Sequence, residues 1–390
     1  MNMKCTLLSL ASAGGLIVSS TPTPSQSWMI STNAPSRAWT SVASSADGTR
    51  LAALAYNYGA VYTSTDSGIT WVSNSVPIRN WFSIASSADG TKLVAVVKQG
   101  DGIYTSTDAG TTWTATSAPI QSWGSVASSA DGSRLIAGGF GAFHALYASA
   151  DSGANWTQTS APLKYWYGVA SSADGTKLAG VIWNGTAIYT SADSGATWTS
   201  HAVPANYWQS IASSADGSKL AATVNGGGIF TSTNFGVTWT SNNAPNFYWT
   251  SVASSADGGV IAAVAIGQIY TSTNFGQDWA SNSVAGGNPY WYSVASSADG
   301  TKLVAVAATG EVATSRPAPV PVPALTIAGV TSDAIISWPA PSTGFELQQN
   351  LDLTSTNWLE VTSSPSVTNA QNQVTARLET GLKFYRLKRR

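Results

Sequence analysis

The chain has 390 residues and a formal net charge of −1, with charged residues at 9% against about 25% in an ordinary soluble domain. That length allows a large buried core or two domains, while the charge balance excludes the electrostatic footprint of a nucleic-acid-binding protein. The surface must be built from Ser, Thr, Asn and Gly, and the 17 tryptophans need a structural explanation.

The chain starts "MNMKCTLLSLASAGGLIVSS". One lysine, then an apolar stretch too short to span a bilayer, then small residues: this pattern predicts a secretory signal peptide over residues 1–20. An exported (periplasmic, cell-surface or extracellular) protein is expected. The sole cysteine, Cys5, would leave with the leader, so no disulfide or thiol chemistry and no transmembrane segment are expected in the mature chain.

From residue 27 to 315 the chain repeats. "ASSADG" occurs seven times, its aspartate at 47, 89, 131, 174, 216, 257 and 299. Within residues 81–119, "WFSIASS", "KLVAVV", "GIYTST" and "TTWTATS" are separated by Asp-Gly and Gly-rich turns, which predicts a four-stranded antiparallel meander. A sheet of this size cannot bury both faces alone. Seven stacked radially can, so the fold class is all-β, a seven-bladed β-propeller. The seventh repeat loses its pattern after "EVATS" at 311–315, and "SWMISTNAP" at 27–35 aligns with the outer-strand segment "TWTSNNAP" at 238–245. The N-terminal strand is therefore expected to complete the last blade and close the ring. "RPAPVPVP" at 316–323 reads as a semi-rigid linker. Residues 324–390 hold a different β pattern, weakly similar to the Ig/fibronectin-like modules of secreted bacterial proteins, and a small β-sandwich-like module is expected.

A second element recurs inside the repeat: Ser64–Trp71, Ser106–Trp113, Ser149–Trp156, Ser191–Trp198, Ser232–Trp239 and Ser272–Trp279. It resembles the Asp-box, S/T-x-D-x-G-x-T-W, of sialidase-like propellers. Asp66, Asp108, Asp151 and Asp193 would accept turn hydrogen bonds. Asn234 and Asn274 replace the aspartate in two copies. An amide can accept the same bonds but cannot act as a general acid or base, so the boxes are structural. Once the repeated aspartates are set aside, the repeat region retains only Asp101, Asp278 and Glu311 as acids, with Arg37 and Arg79 as arginines outside the repeat pattern. The resemblance would require three arginines around a carboxylate, a tyrosine nucleophile with a glutamate partner and an acidic proton donor, and this chain does not supply them. His144 and His201 are isolated, so no metal site and no cofactor are expected, and the chain is expected not to be an enzyme.

Alternation along a meander puts the Asp-Gly turns and the boxes at one end of the ring, uniform from repeat to repeat. The other end carries varied loops: Tyr56–Gly59, Lys98–Asp101, Phe140–His144, Trp183–Gly185 and Asn225–Gly228. It also carries the links into each repeat, "SRAW", "RNWF", "QSWG", "KYWYG", "NYWQ", "FYWT" and "PYWYS". Varied loops on a rigid scaffold are where binding concentrates. The expected ligand-binding set is Tyr165, Trp166, Tyr167, Tyr207, Trp208, Tyr248, Trp249, Tyr290, Trp291 and Tyr292, flanked by amides. Aromatic rings beside amides suit a glycan or a protein or peptide ligand. The expected function is therefore an exported, monomeric, non-catalytic recognition protein. The alternative is an assembly factor or scaffold, by analogy with Asp-box propellers that help build photosynthetic complexes and with sortilin-type receptors; a lesser one is a glycoside hydrolase with an atypical site.

Overall fold

The computed structural model describes residues 27–389 except 58, 75, 77, 142, 285–288, 317–324, 331–332, 341–344, 351–356, 370 and 378–383. The leader expected at 1–20 and all but the first residue of the expected linker lie outside the described residues. The described residues form strands and turns only, and no helix is long and apolar enough to cross a membrane. The chain divides into two compact units, Met1–Ala318 and Pro319–Arg390.

In the first unit every repeat folds into a four-stranded antiparallel sheet. The second repeat shows why: Trp81–Ser86, Leu93–Val97, Ile103–Ser106 and Thr114–Ala115 are joined by turns at each change of direction. The second strand is buried at all five positions because neighbouring sheets cover both its faces, which explains its unbroken apolar run. The outermost strand is only two exposed residues long. Five of the repeats form separate sheets, the fifth and sixth are joined through Asn225 and Gly227 into one eight-stranded sheet, and the inner strands touch in succession, the last against the first. The architecture is a β-propeller.

Closure is chemically explicit at the Asp-Gly turns. The N–H of Ala46 donates to the carbonyl of Ala88, Ala88 to Ala130, Ala130 to Ala173, Ala173 to Ala215, Ala215 to Ala256, Ala256 to Ala298, and Ala298 back to Ala46, each at 2.7 Å. Lysines following these turns reach the next sheet: Lys92, Lys177, Lys219 and Lys302 donate to the carbonyls of Asp131, Asp216, Asp257 and Asp47. The seventh sheet takes its outer strand from the other end of the chain. Ser27–Ile30 lies antiparallel to Val312–Arg316, and Trp28 packs with Trp291, Ala305 and Ala307, so no long edge is left open there.

The second unit contains a four-stranded and a three-stranded sheet. Ile336, Trp338 and Val374 from one and Leu347 and Leu387 from the other share a small core.

Candidate functional site

Each inner strand carries one β-bulge. Register shifts between Trp39 and Ser41, and likewise after Trp81, Trp123, Trp166, Trp208, Trp249 and Trp291. The tryptophan before each bulge turns into the space between sheets, where it is 0–1% exposed. Trp166, Trp208, Trp249 and Trp291 therefore present no surface to a ligand, which removes them from the expected binding set. A large apolar ring at this position seals two sheets together.

The residues at the bulges are Thr40, Phe82, Gly124, Tyr167, Gln209, Thr250 and Tyr292. They vary where the tryptophans do not, and they sit at the loop end of the inner strands. Around them the varied loops assemble a continuous run of rings. Phe82 meets Phe140 at 5.5 Å between centroids, Phe140 meets Tyr165 at 5.0 Å and Tyr167 at 5.9 Å, Tyr167 meets Trp183 at 4.9 Å, and Trp183 meets Tyr207 at 5.0 Å. Gly124 makes room for it: a Cβ there would lie 3.0 Å from the Phe140 ring. Tyr290 stacks on Tyr292. Tyr167, Tyr290 and Tyr56 add to the rise that burial causes in the Tyr292 hydroxyl, which sets these tyrosines of the fourth, seventh and first repeats near one another.

Five of the expected residues thus come together: Tyr165, Tyr167 and Tyr207 in the ring run, Tyr290 and Tyr292 beside it. Tyr248 does not join. It is 64% exposed and stands in a strand extension paired with Asn225 of the preceding sheet. Phe82, Lys98, Phe140 and Trp183 were not in the expected set. Three of them stand in the loops singled out for their variability, and the signal was that loop-by-loop aromatic content. Their partnership across sheets has no sequence signature.

Burial raises the Tyr165 hydroxyl to about 12, with Tyr167 adding to the effect. Burial likewise raises Tyr167 and Tyr292. All three are neutral hydrogen-bonding groups at physiological pH. Gln209 hydrogen-bonds Tyr167, and its own Oε1 is buried without a partner. Lys98 Nζ lies 3.9 Å from the centroid of Phe140 and 4.6 Å from that of Phe82; burial lowers its pKa.

The remaining acids are engaged singly. Asp101 pairs with Arg79 at 2.6 Å and accepts from the Gly102 N–H. Asp278 takes the amide of Asn274 at 2.8 Å, and Glu311 takes the Thr309 hydroxyl. His144 faces Gln121 and His201 faces Thr190. Among the described residues no three His, Cys, Asp or Glu side chains are grouped as a metal site.

A cleft of about 330 Å³ lies at the opposite end, between the seventh and first sheets, lined by Leu51, Asp66, Ile69, Lys302 and Thr314. Its charged groups are occupied within the fold, Asp66 by Ser64 and Thr70 and Lys302 by the Asp47 carbonyl. The aromatic end, where side chains vary from repeat to repeat and rings from several sheets meet, is the better site.

Every box confirms its turn chemistry. In the first, Asp66 Oδ1 accepts from the Ser64 hydroxyl and the Thr70 N–H, and Oδ2 accepts from the Thr70 hydroxyl. Asn234 Oδ1 accepts from Ser232 and the Thr238 N–H in the same way, while its amide donates to the Thr238 hydroxyl.

No protein-family model matches the chain, and no curated protein matches it. Solved structures similar in fold include two that cover three quarters of this chain. YCF48 from Cyanidioschyzon merolae is 15% identical, with a TM-score of 0.60 over 75% of this chain and 100% of that one. YCF48 bound to D1 peptide is 16% identical, with a TM-score of 0.59 over 75% and 97%. At these identities the likeness is one of fold, a β-propeller.

Proposed function

We propose that this chain is an exported, non-catalytic, seven-bladed Asp-box propeller with a small C-terminal β module, and that it serves as an assembly or scaffold protein that binds an extended protein segment across its aromatic end. The observation that carries this is the unbroken ring run Phe82–Phe140–Tyr167–Trp183–Tyr207. A surface of linked rings with amides at its edge matches side chains and backbone alike. Two further points support the reading: a similar propeller has been solved with a bound peptide, and each remaining acid or histidine is held singly by its neighbours.

The test is a random dodecapeptide library displayed on phage, panned on the purified protein in parallel with a glycan array. Trp183→Ala and Tyr207→Ala should each weaken the selected peptides about thirtyfold, the effect of truncating a central interface aromatic, whereas Val72→Ala on an exposed outer strand should change nothing. Discrete glycan hits with no enriched peptide would replace this reading with a sugar-binding one.

A further inference from the structure

Among the described residues, Lys98 is a cation with no salt-bridge partner. It follows the strand Leu93–Val97, and its loop is fixed: the Lys98 N–H donates to Asn80 O at 3.0 Å, the Gln99 N–H to Ser122 Oγ at 3.2 Å. Gln99 and Gly100 both take left-handed backbone angles, φ 74° and 72°. The ammonium is thereby held against two rings from different sheets, Phe82 and Phe140. Ring faces attract a cation but accept none of its three N–H bonds with the strength of an anion. The nearest acid in the loop, Asp101, is spent on Arg79. The other arginine at this end, Arg37, donates to the Tyr62 hydroxyl. Within the ring run itself the side chains are Phe, Tyr and Trp, and Lys98 sets a positive charge against two of them.

We infer that Lys98 selects a carboxylate on the bound segment, so that the partner is an acidic peptide with aromatic or apolar residues beside its Glu or Asp. The inference rests on the peptide reading above and adds the charge of the ligand to it. Held between Phe82 and Phe140, the ammonium has lost part of its water and most of its freedom before any ligand arrives. A carboxylate docking there regains charge-assisted hydrogen bonds at little ordering cost, and an amide or ammonium in the same place does not.

The probes are three pools of acetylated, amidated dodecapeptides with two fixed aromatic residues and random flanks, differing at one central position: glutamate, glutamine or lysine. Binding is read by fluorescence anisotropy. The intact protein should hold the glutamate pool at least tenfold more tightly than the glutamine pool, and the lysine pool most weakly. Lys98→Met, which keeps the length of the stem against Phe82 and Phe140, should melt within about 2 °C of the parent and bind the glutamate and glutamine pools within twofold of each other. Lys98→Arg should keep the preference, and it serves as the folded comparison should Lys98→Met fail to fold. Equal binding of the glutamate and glutamine pools by the parent would overturn the charge inference and leave the peptide reading standing. A glutamate preference that survives in Lys98→Met would overturn it too, moving the selecting cation elsewhere, for example to exposed Lys164. Failure of all three pools to bind would end the peptide reading and this inference with it.

Discussion

Asn274 and Asp278 show how a single repeat position is tuned. In the other boxes an acid or amide faces Thr or Asn four residues on, as Asp151 faces Asn155. In the sixth box Asp278 occupies that place, and Asn274 donates its amide to it at 2.8 Å. Asn274→Asp would set two carboxylates against each other. A loss of about 0.5–1 kcal/mol is expected, the scale for exposed charges, and Asn274→Asp with Asp278→Thr should restore the parent midpoint in urea. Asp108→Asn should be nearly silent, because Asn234 already serves opposite a threonine. Asp108→Ala strands the Thr112 N–H and hydroxyl and should cost about 1 kcal/mol, toward the low end because water can reach the turn. Equal losses for the two Asp108 variants would contradict the turn-acceptor account. The residue before each box glycine adds a feature that composition conceals: Ser67, Ala109, Ser152, Ser194, Phe235 and Phe275 all have φ between 55° and 60°. Two of them are put to use, with Lys177 over Phe235 and Lys219 over Phe275.

At the scale of the strand, the sheets are tied through one serine of each inner strand. Ser41, Ser83 and Ser125 accept from the N–H groups of Ile84, Val126 and Val169 in the next sheet, and Ser210, Ser251 and Ser293 do the same further round. The fourth sheet has Gly168 there, where a Cβ would come within 3.1 Å of Val181, so this one link is absent. Ser125→Ala should cost about 1 kcal/mol, the worth of one buried hydrogen bond, measured by chemical denaturation. Ser125→Ala with unchanged stability would mean that the sheets are held by tryptophan packing alone. The bulge beside each serine has the functional consequence. By inserting one residue it lets the tryptophan face inward between sheets while the next side chain reaches the channel mouth.

At the scale of the whole molecule, closure and charge govern stability. Removing residues 27–35 would leave Val312–Arg316 without its partner and uncover the pocket that Trp28 fills. Aggregation by light scattering and a steep fall in Tm are expected; a deletion variant melting within a degree or two of the parent would refute this form of closure. The turn aspartates set the acid limit. The Ser45 hydroxyl and the Thr49 N–H hold Asp47 down to about 2, the Ser87 hydroxyl does so for Asp89, and the Thr112 N–H for Asp108, from an ordinary 3.8. Asp174, Asp193 and Asp216 are held at about 2 as well. Because the folded values lie below the unfolded one, this stabilisation is complete above about pH 4 and is lost as pH falls toward 2. Tm should be level from pH 7 to 5 and drop between about pH 4 and 2; a level Tm down to pH 2 would show the turn bonds to be energetically idle.

Much of this was readable from local sequence. The repeat period, the meander and the hydrogen bonding of both kinds of turn depend on residues two to five apart, as with Ser45, Asp47 and Arg50, so the chain spells them out. The segment that completes the seventh sheet was legible because 27–35 keeps the pattern of an outer strand. The aromatic cluster was legible only in outline: five of the tyrosines named from sequence come together, and the four tryptophans named with them are buried. Aromatic neighbours in one link, such as Tyr207 and Trp208, read alike in sequence, yet Tyr207 is 49% exposed and Trp208 is fully buried. Pairing of Trp208 with Val224 of the second strand decides which of them faces the core, and that pairing exists only in the folded sheet. The seat of Lys98 between Phe82 and Phe140 belongs to tertiary structure for the same reason. Phe82 and Lys98 are brought together by the pairing of two strands of the second repeat, and Phe140 arrives only when the third repeat packs beside it.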